Sequence, residues 1–190
     1  MLTCKLTLVE DFESYTDNDA DGEAIWQHWI DGFGVPDNGA QVGYLVPTYC
    51  EQTIVHGGSQ SMPLLYTNET GVTNSEAVLT LTTPRDWTQA GVSELSLWFR
   101  GASGNAAEPL YVAISNSAGS PAVVAHDDSD AAAGGTWRKW RISLSAFVDQ
   151  SINLSNVDKL AIGLGSKGGA GAGGTGTMYI DDIRLYRSAP

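Results

Sequence analysis

The stretch Glu94–Gly101, ELSLWFRG, decides how this chain is built. Leu95, Leu97 and Phe99 take alternate positions, with Ser96, Trp98 and Arg100 between them. Successive side chains of an extended strand point to opposite faces, so this run has one apolar face and one mixed face. The same alternation recurs on either side of it. Upstream stand Leu6 and Leu8, then Met62, Leu64 and Tyr66, then Leu79 and Leu81. Downstream come Leu110, Val112 and Ile114, then Trp140, Ile142 and Leu144, then Leu160, Ile162 and Leu164. The closing run MYIDDIRLY (178–186) is expected to put Tyr179, Asp181, Ile183 and Leu185 on one face, and QTIV (52–55) reads as a further strand. About ten or eleven strands joined by loops predict an all-β fold, a β-sandwich jelly roll of two antiparallel sheets. Helix is expected only as short turns within 23–32 and 143–150.

The bulk numbers agree with a single domain over residues 1–190. Apolar residues make up 42% and charged residues 17%, with 22 glycines as punctuation, which suits many short strands. The glycine-rich run 163–176 is expected to be a loop between strands. It is no phosphate cradle, because Gly168 follows Lys167 where Ser or Thr is needed. A net charge of −12 excludes partners that demand a basic surface, namely nucleic acid and anionic membrane, and leaves neutral ligands and cations. Cys4 and Cys50 are compatible with one bridge or with two thiols. No apolar run is long enough to span a bilayer, and MLTCKLTLV reads as a first strand rather than a signal peptide.

The acidic run DNDADGE (17–23) places Asp17, Asp19 and Asp21 ahead of Gly22, as the first half of a calcium loop does. The twelfth position, where a clamping carboxylate belongs, is His28. The run therefore reads more simply as an acidic turn built from turn-favouring residues.

Four segments occur in a telling order: VEDFESYTD (9–17), IVHGGSQSMPLLY (54–66), ELSLWFRG (94–101) and YIDDIRLY (179–186). Together they resemble the galactose-binding-like jelly-roll domains typified by carbohydrate-binding modules, above all the family 11 type found in exported multidomain proteins of bacteria. The resemblance runs from about Val9 to Tyr186. It implies a structural Ca²⁺ where the first and last strands meet, held by Glu13, with Asp11 nearby, and by Asp181, with loop carbonyls of residues 57–59 completing the shell. It also implies a polysaccharide or oligosaccharide partner and a secreted or cell-surface location within a longer protein.

Strand alternation selects the residues that would meet a sugar. With Leu95, Leu97 and Phe99 inward, Trp98 and Arg100 point outward, and Tyr111 does so from the next strand. They are expected to form one stacking and hydrogen-bonding platform, extended by Tyr66 and lined from the loops by Trp26, Trp29 and Tyr44. Trp140 belongs to the core. No catalytic constellation stands out: His28, His56 and His126 are dispersed, there is no nucleophile elbow, and the acids Glu76, Asp86, Glu94, Asp127 and Asp128 form no evident pair. The sequence favours a non-catalytic carbohydrate-binding module. It leaves open a structural or adhesive domain and a small glycan-active hydrolase or lyase.

Overall fold

Eleven strands form among the described residues, 6–167 and 173–187 of the computed structural model. In chain order they are β1 (Leu6–Glu10), β2 (Trp29–Ile30), β3 (Gln41–Val42), β4 (Met62–Thr67), β5 (Asn74–Thr80), β6 (Glu94–Gly101), β7 (Leu110–Ser115), β8 (Ala122–Ala125), β9 (Arg138–Ser143), β10 (Lys159–Gly165) and β11 (Thr175–Tyr186). One sheet runs β3–β4–β11–β6–β9, with β1 also on β11; the other runs β2–β5–β10–β7–β8. Every pairing is antiparallel. The two helices, α1 (Ile25–His28) and α2 (Ser145–Val148), are single turns, as expected.

Alternation builds the core. Leu95, Leu97 and Phe99 of β6 are fully buried, as are Val112 of β7 and Leu160, Ile162 and Leu164 of β10. Burying such side chains stabilises the fold by roughly 1.5–3 kcal/mol each. The chain ends meet as neighbouring strands, with Thr7 opposite Leu185 and Leu8 opposite Arg184.

Three expectations need correction. QTIV is not a strand: only Glu51 bridges to Ser61, and residues 52–60 form a loop. Nor does MYIDDIRLY alternate throughout. The register shifts between Asp181 and Arg184, and Asp182 takes a left-handed φ of 49°. This inserted residue reverses the faces, a β-bulge. Met178, Ile180, Ile183 and Leu185 therefore enter the core, whereas Tyr179 and Asp181 lie on the outer face. The glycine run is also shorter as a loop than expected, since β10 continues to Gly165 and β11 begins at Thr175. Residues 168–172 of that run lie outside the described residues. Gly163 is required where it stands, because an added Cβ would fall 2.2 Å from Cζ of Tyr111.

The acidic run 17–23 is a turn. Asn18 caps a single 3₁₀ turn at Asp19–Asp21, Gly22 closes it at φ 78°, and Asp17 accepts the Tyr49 amide at 2.7 Å. Cys50 is a buried free thiol; Cys4 lies outside the described residues. Burial first, then Asp17, Glu10 and Glu13, pushes the Cys50 thiol up to about 12.

The loop 52–60 is held at its far end by both ends of the chain. Glu13 Oε1 accepts the amides of Ser59 (2.8 Å) and Gln60 (2.9 Å). Asp181 Oδ2 accepts those of His56 (2.8 Å) and Gly57 (3.1 Å). Asp182 accepts from His56 Nδ1 at 2.7 Å and from Arg184. Gly58 sits at φ 62°, where an added Cβ would come within 2.3 Å of Glu13 Oε1. Gly58→Ala is thus expected to lose more than about 1 kcal/mol, read as a lowered denaturant midpoint with unchanged slope. The Cys50 thiol should react with a disulfide reagent only as fast as the protein opens, with full reactivity in denaturant.

Candidate functional site

The outer face of the six-stranded sheet carries a row of polar and aromatic side chains. On β6, Trp98 and Arg100 are half-buried and point away from the core. Across the ladder, Tyr179 stands opposite Arg100, Asp181 and Lys139 flank Trp98, and Arg184 and Arg141 flank Ser96. The His56 ring stacks on Trp98 at 3.8 Å and 18°, and Trp137 meets His56 edge-on at 5.8 Å. One face of the Trp98 indole is thereby covered and its tilt fixed. Arg100 Nε is buried with no hydrogen-bond partner.

Tyr44 continues the row from the loop after β3. Its hydroxyl donates to Glu51 Oε2. Burial, this bond and the neighbouring Tyr179 raise the Tyr44 phenol well above its ordinary value. Burial alone would also raise Glu51. Instead, Thr53, Tyr44 and the amides of Thr53 and Ile54 donate to it and bring it down to about 2. Beyond Tyr44 the face opens into a groove of about 450 Å³ lined by Trp26, Tyr49, Phe33, Leu45, Gln41 and Asp31, among others. Phe33 and Leu45 on its rim are each 72% exposed. From β3 to β9 the sheet spans four interstrand steps, about 19 Å.

The expected platform is therefore only partly assembled. Trp98, Arg100 and Tyr44 share this face, and Trp26 lines the adjoining groove. Tyr111 does not join them: β6 and β7 belong to different sheets, so outward residues of the two strands face opposite sides of the molecule. Tyr111 is 2% exposed and donates to Glu76. Tyr66 lies in the core, its hydroxyl on the Ala106 carbonyl, because β4 directs Met62, Leu64 and Tyr66 inward. Trp29 is fully buried on β2 beside Phe12. Trp140 is core, as expected. Sequence reasoning missed Tyr179, which the bulge moved off the core face, and His56, which reads as part of a glycine turn.

Of the residues implied for Ca²⁺, Glu13 and Asp181 both bind the turn 56–60, and Asp11 accepts the Glu13 amide. The 56–60 turn directs amide N–H groups, not carbonyls, at Glu13 and Asp181. Asp181 Oδ1 also accepts the Asp182 amide, and Asp11 Oδ1 accepts that of Glu13. Among the described residues no three His, Cys, Asp or Glu side chains gather around a common point. Hard cations require several converging oxygens, and the carboxylate oxygens of Glu13 and Asp181 accept backbone amides here. Burial raises Asp181, outweighing its amide donors. Burial also opposes ionisation of Asp182, but Arg184 and His56 outweigh it and hold that carboxyl low.

Two measurements follow. Melting curves in EDTA and in added calcium test the implied ion: a rise of several degrees with calcium that Asp181→Asn abolishes supports it, and overlapping curves count against it. The depressed Glu51 carboxyl contributes stability that is complete above pH about 4.5 and lost as pH falls toward 2. Glu51→Gln should lower Tm at pH 7 and flatten the fall in Tm across that interval.

No protein-family model and no curated protein sequence matches this chain. Solved structures do. A family 11 carbohydrate-binding module from Clostridium thermocellum, in complex with a β-1,3-1,4-mixed-linked tetrasaccharide, superposes with TM-score 0.50 at 18% identity, covering 83% of this chain and 94% of that one. The CBM22-1 xylan-binding domain of Paenibacillus barcinonensis Xyn10C gives 0.53 at 16%, covering 98% and 97%. An exo-β-agarase gives 0.64 at 13%, covering 97% of this chain and 25% of the agarase. Identities this low speak for the fold alone: the chain is a two-sheet jelly-roll sandwich of the kind found in carbohydrate-binding modules.

Proposed function

We propose that this chain binds polysaccharide without cleaving it, along the outer face of the six-stranded sheet. The observation that carries the reading is the line of Trp98, Arg100 and Tyr44, with the largely buried Tyr179 (8% exposed) beneath it, which runs into the groove lined by Trp26 and Tyr49. A sugar ring has an apolar C–H face that packs on aromatic rings and a rim of hydroxyls that pairs with polar side chains. This surface offers both, over a length suited to several rings in succession. The likeness to carbohydrate-binding modules supports the same reading. So does the likeness to part of an agarase, which favours a secreted or cell-surface module within a longer protein.

Calcium plays no part in this reading, which does not depend on an ion. Hydrolysis is less favoured, because the acids near the face are engaged: Glu51 by Tyr44 and Thr53, and Asp181 by backbone amides. A structural or adhesive role is the second reading. The exposed apolar rim of Phe33, Val35, Leu45 and Val46 favours it, since such clusters mark contact surfaces.

Affinity electrophoresis against a panel of gel-entrapped polysaccharides tests the proposal. Retention by at least one polymer is expected, with Trp98→Ala weakening it roughly tenfold or more at a similar Tm. Tyr111→Phe, altered on the opposite sheet, should bind as the parent does. Release of reducing ends, or retention by no polymer, would overturn the reading.

A further inference from the structure

The described cations divide into two groups. Arg85, Arg138, Lys167 and Arg184 each have a carboxylate partner, Asp158, Asp128, Glu76 and Asp182 respectively. Arg100, Lys139, Arg141 and Lys159 have none among the described residues. In a chain with 22 acidic and 10 basic residues, cations without a carboxylate are the unexpected case. Three of these four, Arg100, Lys139 and Arg141, stand on one surface, the outer face of the six-stranded sheet, while Lys159 begins β10 on the other. Lys139 lies across from Trp98, Arg141 across from Ser96, and Arg100 two residues along β6 from Trp98. Lys139 Nζ rests over the Tyr186 ring at 3.9 Å, so its charge is held on the face without being neutralised.

The acids of this face do not offset those cations. Asp181 is 1% exposed and accepts three backbone amides. Asp182 is shared between His56 and Arg184. Glu51 is bound by Tyr44 and Thr53. Glu94 is the exception: it stands opposite Tyr186, on which Lys139 rests, and six positions along β6 from Arg100. Two buried polar atoms on the face, Ser96 Oγ and Arg100 Nε, have no hydrogen-bond partner. Among the described residues the Arg100 guanidinium has no hydrogen bond or ion pair to a protein group, which leaves its outer donors open to a ligand.

We propose that the polysaccharide bound by this face carries a fixed negative charge, a uronate carboxylate or a sulfate ester, which the Arg100 guanidinium receives beside the Trp98 ring. This rests on the carbohydrate-binding reading and narrows it. A planar guanidinium with free donors pairs with two oxygens of a carboxylate or sulfate at once, and Lys139 and Arg141 extend the positive strip along the polymer. The net charge of −12 opposes an anionic polymer only over distances that salt screens, since the Debye length is about 8–10 Å near physiological ionic strength. Contact at the strip is local and decides the sign.

The test compares retention by alginate and polygalacturonate (carboxylates), carrageenan (sulfate ester), and agarose and mixed-linkage β-glucan (neutral). At least one anionic polymer should retain the protein more strongly than either neutral one, and 0.5 M NaCl should weaken that retention. Arg100→Gln should weaken anionic binding by about tenfold or more. Arg100→Lys should be intermediate, and Lys139→Gln and Arg141→Gln should each cost less than Arg100→Gln. Lys159→Gln removes an exposed charge from the opposite sheet and should change nothing. Preference for carboxylate or for sulfate assigns the source of the charge; either supports the proposal. Equal or better retention by the neutral polymers, with Arg100→Gln affecting charged and neutral ligands alike, overturns it while leaving carbohydrate binding intact. An equal loss in Lys159→Gln also overturns it, because the attraction would then be non-specific. Retention by no polymer removes both readings. If Arg100→Gln lowers Tm, the Lys139→Gln and Arg141→Gln pair decides the outcome in its place.

Discussion

Carboxylates from the two ends of the chain hold one turn by its amide protons, and the outer face of the six-stranded sheet depends on that grip. Glu13 lies just after the first strand and Asp181 within the last, yet both bind the backbone of residues 56–60. Hydrogen bonds to an ionised carboxylate are stronger than neutral ones, about 1.5–3 kcal/mol each. Four of them converge here, at a cost visible in the raised Asp181 carboxyl, which burial disfavours as an anion. The turn positions His56, and His56 stacks on Trp98. A constraint at the chain ends thus fixes the orientation of an aromatic ring in the middle of the candidate site.

The bulge in β11 makes this possible. The strand is twelve residues long and changes partner along one edge, pairing with β4 over its first half and with β1 over its second. A strictly alternating strand would have carried Asp181 and Ile183 on the same face, burying the carboxylate in the core or exposing the isoleucine. One extra residue at Asp182 resolves that conflict. The apolar residues stay inside on both sides of the bulge, while Tyr179 and Asp181 reach the outer face. Aspartate tolerates the positive φ better than a branched apolar residue would, which suits the DD pair at this position.

The architecture was legible because period-two alternation is a direct record of two-faced strands: the runs at 62–66, 94–101, 110–115, 138–143 and 159–165 all became strands with the expected residues inside. The binding face was legible only within one strand. Trp98 and Arg100 follow from the alternation of β6. Placing Tyr111 beside them required knowing which strands are neighbours, and consecutive strands here often lie in opposite sheets. Period alone could not reveal the β11 bulge, so alternation puts Tyr179 on one face with Ile183 and Leu185. Tyr66 and Trp29 were ambiguous for another reason: an aromatic ring with one polar atom is equally at home in a core that satisfies that atom and on a surface that uses it. Tyr66 finds the Ala106 carbonyl, and the ambiguity closes in favour of burial.

The two outer faces show why only one of them is a candidate site. On the five-stranded sheet, Tyr111, Ala113 and Ala161 pack with Val78 and Val123 into a small apolar cluster of their own. The Tyr111 hydroxyl and Lys167 both bind Glu76, so the charges there cancel locally and the aromatic ring is spent on Gly163 beneath it. That surface is internally satisfied. On the six-stranded sheet the acids are consumed by backbone amides and by Arg184, whereas Arg100, Lys139 and Arg141 keep their charge and Trp98 keeps part of its ring in solvent. The asymmetry is therefore one of satisfaction rather than of composition: both faces carry aromatic, acidic and basic residues, but among the described residues the six-stranded face gathers its uncommitted cations beside partly exposed ring surface, whereas on the other face the Tyr111 ring is buried.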